Sequence, residues 1–210
     1  MATTICSREG YEGYYCFGNN GKCVVMWLIM MKGLSGSGKS TLSRALGKEL
    51  GWPLIDKDDV KDLLDGHASA AGGLAYEIMF NIARRQLLQG LNVICDSPLT
   101  GSIAYEHAQA IAIETHASLG IVECHCSDES LWKQRINDRK ALQLPSHHQI
   151  DWDALQSFRH QPHIQERYSI VHPHLVVDTI RPFQECLTEV IVWLGQVAQI
   201  ASEGAMSDAK

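Results

Sequence analysis

From Val24 onward the chain alternates short apolar runs with longer amphipathic ones. The apolar runs predict five strands, at Val24–Met31, Pro53–Ile55, Asn92–Cys95, Gly120–Cys126 and Leu175–Asp178. The first, third and fifth are β-branched or nearly all apolar, the pattern of parallel strands covered on both faces. Between them the periodicity predicts helices. One runs from Lys39 to Leu50 and stops at Gly51; another runs from Val60 to Leu64, with Asp58 and Asp59 as N-caps. Two more span Leu74–Leu88, ahead of the C-terminal signal Gly90, and Ile103–Leu119, ahead of Gly120. A further helix is capped by Ser127 and continues through Arg139. Near the end, Leu187, Val190, Ile191, Leu194, Val197 and Ala198 mark one helical face. Such alternation predicts an α/β fold with a doubly wound parallel sheet and right-handed crossovers. The polar, His-rich segment Ala141–His163, with Pro145 and Pro162, breaks the rhythm and reads as a lid or mobile insertion.

The 210 residues suit one α/β domain, with 45% apolar and 20% charged residues and a net charge of −6. We assign residues 1–23 to a poorly ordered extension, 24–200 to the domain, its lid at about 135–163, and 201–210 to a flexible tail. The longest apolar run, "VVMWLIMM" from Val24, falls short of the roughly 20 residues of a membrane span. Acidic charge argues against tracking a long nucleic acid, which takes a basic face. It leaves room for a small anionic ligand held by local donors. Seven cysteines without a C-x-x-C pair, secretory signal or transit peptide indicate a reducing compartment, with the cytoplasm as the expected location. The composition allows a monomer or a homodimer.

"GLSGSGKS", Gly33 to Ser40, satisfies G-x-x-x-x-G-K-[ST], with a strand before it and a helix after. Glycines there let successive N–H groups curl around phosphate oxygens, and the helix adds its positive end. Gly33, Ser35, Gly36, Ser37, Gly38, Lys39, Ser40 and Thr41 are therefore the expected ATP cradle. Lys39 would reach the β- and γ-phosphates, and the Ser40 hydroxyl would meet Mg²⁺. No N-K-x-D guanine reader and no L-S-G-G-Q occurs, which leaves a small phosphotransferase.

The acceptor side begins at "PLIDKDDVKDLL", whose carboxylates emerge at the carboxyl edge of the sheet, where open α/β sheets bind ligands. Transfer to an alcohol takes a carboxylate to accept the hydroxyl proton. Asp58 is the first choice and Asp56 the second, with helix capping the competing role for the cluster. Lys61, one turn on, is placed for an anionic substrate group or for water. Asp96 ends the third strand, where an acid holds Mg²⁺ or orients the acceptor; turn formation before Ser97-Pro98 is its alternative. Arg135 and Arg139 share a helix face leading into the lid and would offset charge on the transferring phosphate, unless they pair with Asp138 or Glu129 at the surface. His147, His148, His160 and His163 lack the spacing of a zinc site.

Taken together, "GLSGSGKST", "IDKDDVKDLL", "VICDSPL" and the R-x-x-x-R of Arg135 and Arg139 resemble P-loop kinases of the AAA_33 type. Zeta-toxin kinases, chloramphenicol phosphotransferase and the kinase domain of polynucleotide kinase belong to the same group. The resemblance spans roughly Val24 to Leu194 and implies a P-loop NTPase three-layer sandwich: a five-stranded parallel sheet, helices on both faces and a helical lid. It implies that Asp58 deprotonates the acceptor and that Arg135 and Arg139 bind the triphosphate. The expectation is an ATP- and Mg²⁺-dependent kinase acting on a small-molecule hydroxyl. The alternatives are a kinase of a nucleotide, nucleotide sugar or nucleic-acid 5′-hydroxyl, and a non-kinase ATPase switch.

Overall fold

The first apolar run becomes the central strand, and its alternation splits the core in two. The computed structural model describes residues 4–8, 11–16, 25–68, 70–141, 150–162 and 164–207. Within the N-terminal extension, β1 (Thr4–Arg8) and β2 (Tyr11–Cys16) pair as an antiparallel hairpin, where the pattern had marked no element. The main sheet holds β3 (Trp27–Lys32), β4 (Leu54–Asp56), β5 (Val93–Asp96), β6 (Ser118–His125) and β7 (His174–Asp178). Its order is β4-β5-β3-β6-β7, with every pairing parallel.

Leu28 and Met30 of β3 face one cluster, built with α3 (Ala71–Leu88) and α4 (Ser102–Glu114) through Met79, Phe80, Tyr105 and Ala108. Trp27, Ile29 and Met31 face the other, built with α1 (Lys39–Leu50) and α7 (Phe183–Ser207) through Leu42, Leu46, Leu187 and Val190. A strand covered on both faces has no use for polar positions, which is why its run is unbroken. The chain builds β4 and β5 to one side of β3, then crosses to β6 and β7 on the other. The resulting switch point opens a crevice above the carboxyl ends of β3 and β5. No described helix is long and apolar enough to cross a membrane.

Among the described residues, the five strands of the main sheet and seven helices realise the expected layers, with local corrections. The helix of the acidic cluster, α2, starts at Lys57 and runs to Leu64, and its N-cap is Asp56. The Asp56 carboxylate accepts the Asp58 N–H at 2.9 Å, so neither Asp58 nor Asp59 caps it. The α4 helix ends at Glu114 instead of Leu119, because His116 adopts a left-handed φ of 53° and turns the chain into β6. The lid helix α5 (Glu129–Ala141) is capped by Asp128, which accepts the Leu131 N–H at 3.0 Å, and not by Ser127. On α7, Leu187, Val190 and Leu194 are buried as expected while Ala198 is exposed. The second lid helix, α6, spans Trp152–Arg159. His147 and His148 of the predicted lid, its Pro145, and His163 lie outside the described residues.

The lid carries its own small core. Ile136, Trp152 and Leu155 close around Leu34 of the phosphate loop, with Trp132, Ile150 and Phe158 at the margin. Beneath it, the buried Lys32 ammonium at the end of β3 donates to Glu123 Oε1 at 2.7 Å and to the Glu166 carbonyl at 2.8 Å. His174 Nε2 lies 3.0 Å from the other Glu123 oxygen. Burial works against a charge on Glu123, but the contacts from His174 and Lys32 outweigh it and lower its pKa from 4.5 to about 2. A depressed carboxylate stabilises the fold above its unfolded pKa and loses that contribution as pH falls toward the folded value. Glu123→Gln should therefore cost on the order of 2–3 kcal/mol near neutrality. More than half of that gap should be gone by about pH 3. Urea unfolding of both proteins at the two pH values checks it, and a pH-independent difference would contradict the network.

Candidate active site

The loop after β3 is shaped as much by its protein neighbours as by any ligand. Gly33 donates its N–H to the Pro98 carbonyl at 3.1 Å, which ties the loop to the segment following β5. Gly36 and Gly38 take left-handed φ values of 79° and 85°. A Cβ on Gly36 would stand 2.7 Å from Ile136 and 2.9 Å from Trp132; one on Gly38 would stand 3.1 Å from Thr179. The lid helix and the turn after β7 thus lie against the outside of the loop. Trp132 Nε1 donates to the Ser35 carbonyl at 2.7 Å, and Thr179 Oγ1 donates to the Ser37 carbonyl at 2.8 Å. With these carbonyls held outward, Gly38 leads into α1 and the positive end of that helix faces the crevice.

Lys39 opens α1 and is 7% exposed. Its ammonium forms an ion pair with the fully buried Asp96, and its Nζ lies 3.4 Å from Ser40 Oγ. Burial alone favours the neutral amine, but the Asp96 carboxylate overrides it and the Lys39 pKa is raised. Asp96 also accepts a hydrogen bond from Ser43 Oγ at 2.9 Å. Pairing of Met31 with Asp96 across β3 and β5 sets this acid beside the loop, as its strand-end position implied.

The acidic cluster separates into distinct roles. Asp56 ends β4 opposite Asp96 and is turned inward to cap α2. Burial, and then the neighbouring Asp96, push its carboxyl up to about 6. Asp58, in the first turn of α2, lines the cleft, and its Oδ1 lies 2.7 Å from the buried Lys57 Nζ. Lys61 is not brought in. It pairs with Asp65 at 3.3 Å along the outside of α2.

The cleft has a volume of about 590 Å³ and is lined by Gly33, Ser35, Gly36, Gly38, Ser40 and Thr41 of the loop. Ser37 is buried away from it. Lys39, Arg44, Arg135, Arg139 and Arg181 bring five cations to the lining, against the carboxylates of Asp58 and Asp138. In a chain of net charge −6, that concentration selects for a polyanion. Arg135 donates to Thr179 Oγ1 at 2.9 Å and to its carbonyl at 2.8 Å, clamping the lid helix to the turn after β7. Arg139 is half-buried, and burial followed by the facing Arg44 lowers its pKa, opposed by Asp58, Asp96 and Asp56.

Sequence reasoning missed Arg44, Thr179, Arg181, Phe183 and Cys186, all of which line this cleft. Two signals were available. Arg44 lies one helical turn beyond Ser40, and Thr179 follows the last strand at the same carboxyl edge as the loop.

Solved structures share this fold. A candidate kinase from Chloroflexus aurantiacus superposes with a TM-score of 0.67 at 24% identity, covering 82% of this chain and 98% of that one. An APS kinase from Mycobacterium tuberculosis, solved with AMPPNP and APS, matches at TM-score 0.59 and 17% identity over 81% and 98% of the two chains. A gluconokinase from Sinorhizobium meliloti matches at 0.52 and 18%, over 86% and 97%. At these identities the likeness carries the fold. No curated protein matches the sequence. The AAA_33 family model, described as an AAA domain, matches residues 28–161, more than half of the chain, and the protein belongs to that family.

Proposed function

We propose that this chain is an ATP- and Mg²⁺-dependent kinase that moves the γ-phosphoryl group onto a hydroxyl of a small molecule. The observation that carries this reading is the convergence of Lys39, Asp58 and Arg139 on one cleft. The loop supplies backbone donors and a helix N-terminus for the triphosphate, Lys39 a buried counter-charge, and Arg139 a second cation from the lid. Ser40, which lines the cleft, and the Asp96 carboxylate beside Lys39 carry hard oxygen donors that would hold Mg²⁺. When bound there, Mg²⁺ would neutralise charge on the β- and γ-phosphates.

Asp58 is the base in this scheme because it faces the cleft. Asp56, with a carboxyl near 6, has the better-matched affinity for a proton, yet it is committed to the α2 cap. Geometry decides before affinity does. Acceptors of modest size agree with the small molecules named for kinases of similar fold.

Two measurements follow. Lys39→Met strands the buried Asp96 charge and should destabilise the nucleotide-free protein by roughly 3–5 kcal/mol. Adding Asp96→Asn should restore stability without restoring transfer; thermal unfolding and acceptor-dependent ADP release separate the two effects. Wild-type turnover in folded Lys39→Met would remove the phosphate-loop assignment.

The reading itself is tested on the acids. With an acceptor in hand, Asp58→Asn should lower turnover by roughly 10²–10⁴-fold while ATP affinity, measured calorimetrically, is kept. Asp56→Asn retains an oxygen for the cap and should stay the more active variant. Full activity of Asp58→Asn would refute the mechanism.

A further inference from the structure

The second residue of "DKDD" is a lysine whose side chain is only 8% exposed. Lysine is almost never so enclosed unless it is paired. The Lys57 Nζ lies 2.7 Å from Asp58 Oδ1 and 5.3 Å from the centroid of the Tyr76 ring of α3. Neighbouring residues on a helix diverge by about 100° and do not face each other. This contact is therefore no by-product of helix geometry: the lysine folds back beneath α3 to reach the carboxylate. Tyr76 is itself fixed, its hydroxyl taking the Leu99 N–H at 3.2 Å. We propose that Lys57 is a positioning residue, whose enclosed ammonium holds the Asp58 carboxylate ionised and turned toward the cleft where the acceptor hydroxyl arrives. The proposal rests on the reading of Asp58 as the base.

The surroundings explain why such a cation is needed. Asp58 lies in the field of Lys39 of α1, Arg139 of α5, Asp56 at the end of β4 and Tyr76 of α3. Lys39 and Arg139 line the cleft, so an incoming triphosphate competes for both and adds its own negative charge. Lys57 is shielded from that competition and does not line the cleft. In the transfer step the acceptor O–H bond breaks and its proton passes to the Asp58 carboxylate. The acceptor oxygen bonds to the γ-phosphorus, and the bridging P–O bond breaks with its electron pair leaving on ADP. A carboxylate already protonated by the approach of the phosphates would have no place for that proton.

Carboxyl ¹³C NMR of aspartate-labelled protein tests this without an acceptor, the Asp58 signal being assigned by its loss in Asp58→Asn. In Lys57→Met the Asp58 titration midpoint should rise by roughly 1–3 pH units, and in Lys57→Arg it should stay near that of the wild type. Once an acceptor is known, the acid limb of kcat/KM should move with it. An unchanged midpoint in folded Lys57→Met overturns the proposal. If Lys57→Met does not fold, Lys57→Met/Asp58→Asn removes both charges and should be the more stable variant. A double variant no more stable than the single one also overturns the proposal. Normal transfer by Asp58→Asn beside a Lys57-dependent titration would instead remove the base assignment, and the positioning role with it.

Discussion

The ion pair of Lys39 and Asp96 is the constraint on which the carboxyl edge of the sheet depends. Both groups are almost closed to water, and a buried charge is tolerable only when it is paired and hydrogen-bonded. Asp96 must therefore stand at the end of β5, next to the strand that carries the loop, with Ser43 of α1 as its further donor. This fixes the start of α1 relative to the sheet and holds Lys39 in place. The charge that neutralises Lys39 is one that a phosphate of the proposed nucleotide would replace. Binding then exchanges one counter-charge for another and exposes no naked cation to an apolar site.

A second dependence runs through the glycines. The space they would leave for phosphate oxygens is half of the physics. Gly36 also admits Trp132 and Ile136 of α5, and Gly38 admits Thr179. The loop is sandwiched between its ligand side and a lid helix that already touches it. Arg135 ties that helix to Thr179, while Arg139, one turn further along α5, reaches the acidic side of the cleft. Movement of the phosphate loop and placement of the lid arginine are mechanically linked by these contacts.

Much of this was legible from residue order. β3 and β5 stood out because strands covered on both faces must be apolar throughout, whereas the edge strand β7, expected to be covered in the same way, has His174 and Val176 exposed. The loop stood out because its motif joins a strand to a helix. What failed were choices that local pattern does not determine. Three aspartates in four positions all look like caps, and only the path of β4 decides that Asp56 turns back to the Asp58 N–H. The "THASLG" stretch continues an apolar trend, and Gly120 drew the predicted helix end to itself, whereas His116 makes the turn. Lys57 reads as a surface lysine among acids until α3 is folded over it. Lys61 drew attention by spacing alone and faces Asp65 instead of the cleft. Contacts such as Arg135 with Thr179 join residues far apart in sequence, and no single-chain periodicity encodes them.

The central claim is that this cleft passes a phosphoryl group to an organic hydroxyl and does not merely hydrolyse ATP. It is tested most directly by following the label from γ-³²P-ATP in pools of hydroxyl-bearing metabolites. One pool should support label transfer to an organic product in equal amount to the ADP formed, and Asp58→Asn should abolish this transfer. Label recovered only as inorganic phosphate, at a rate indifferent to every pool, would contradict it.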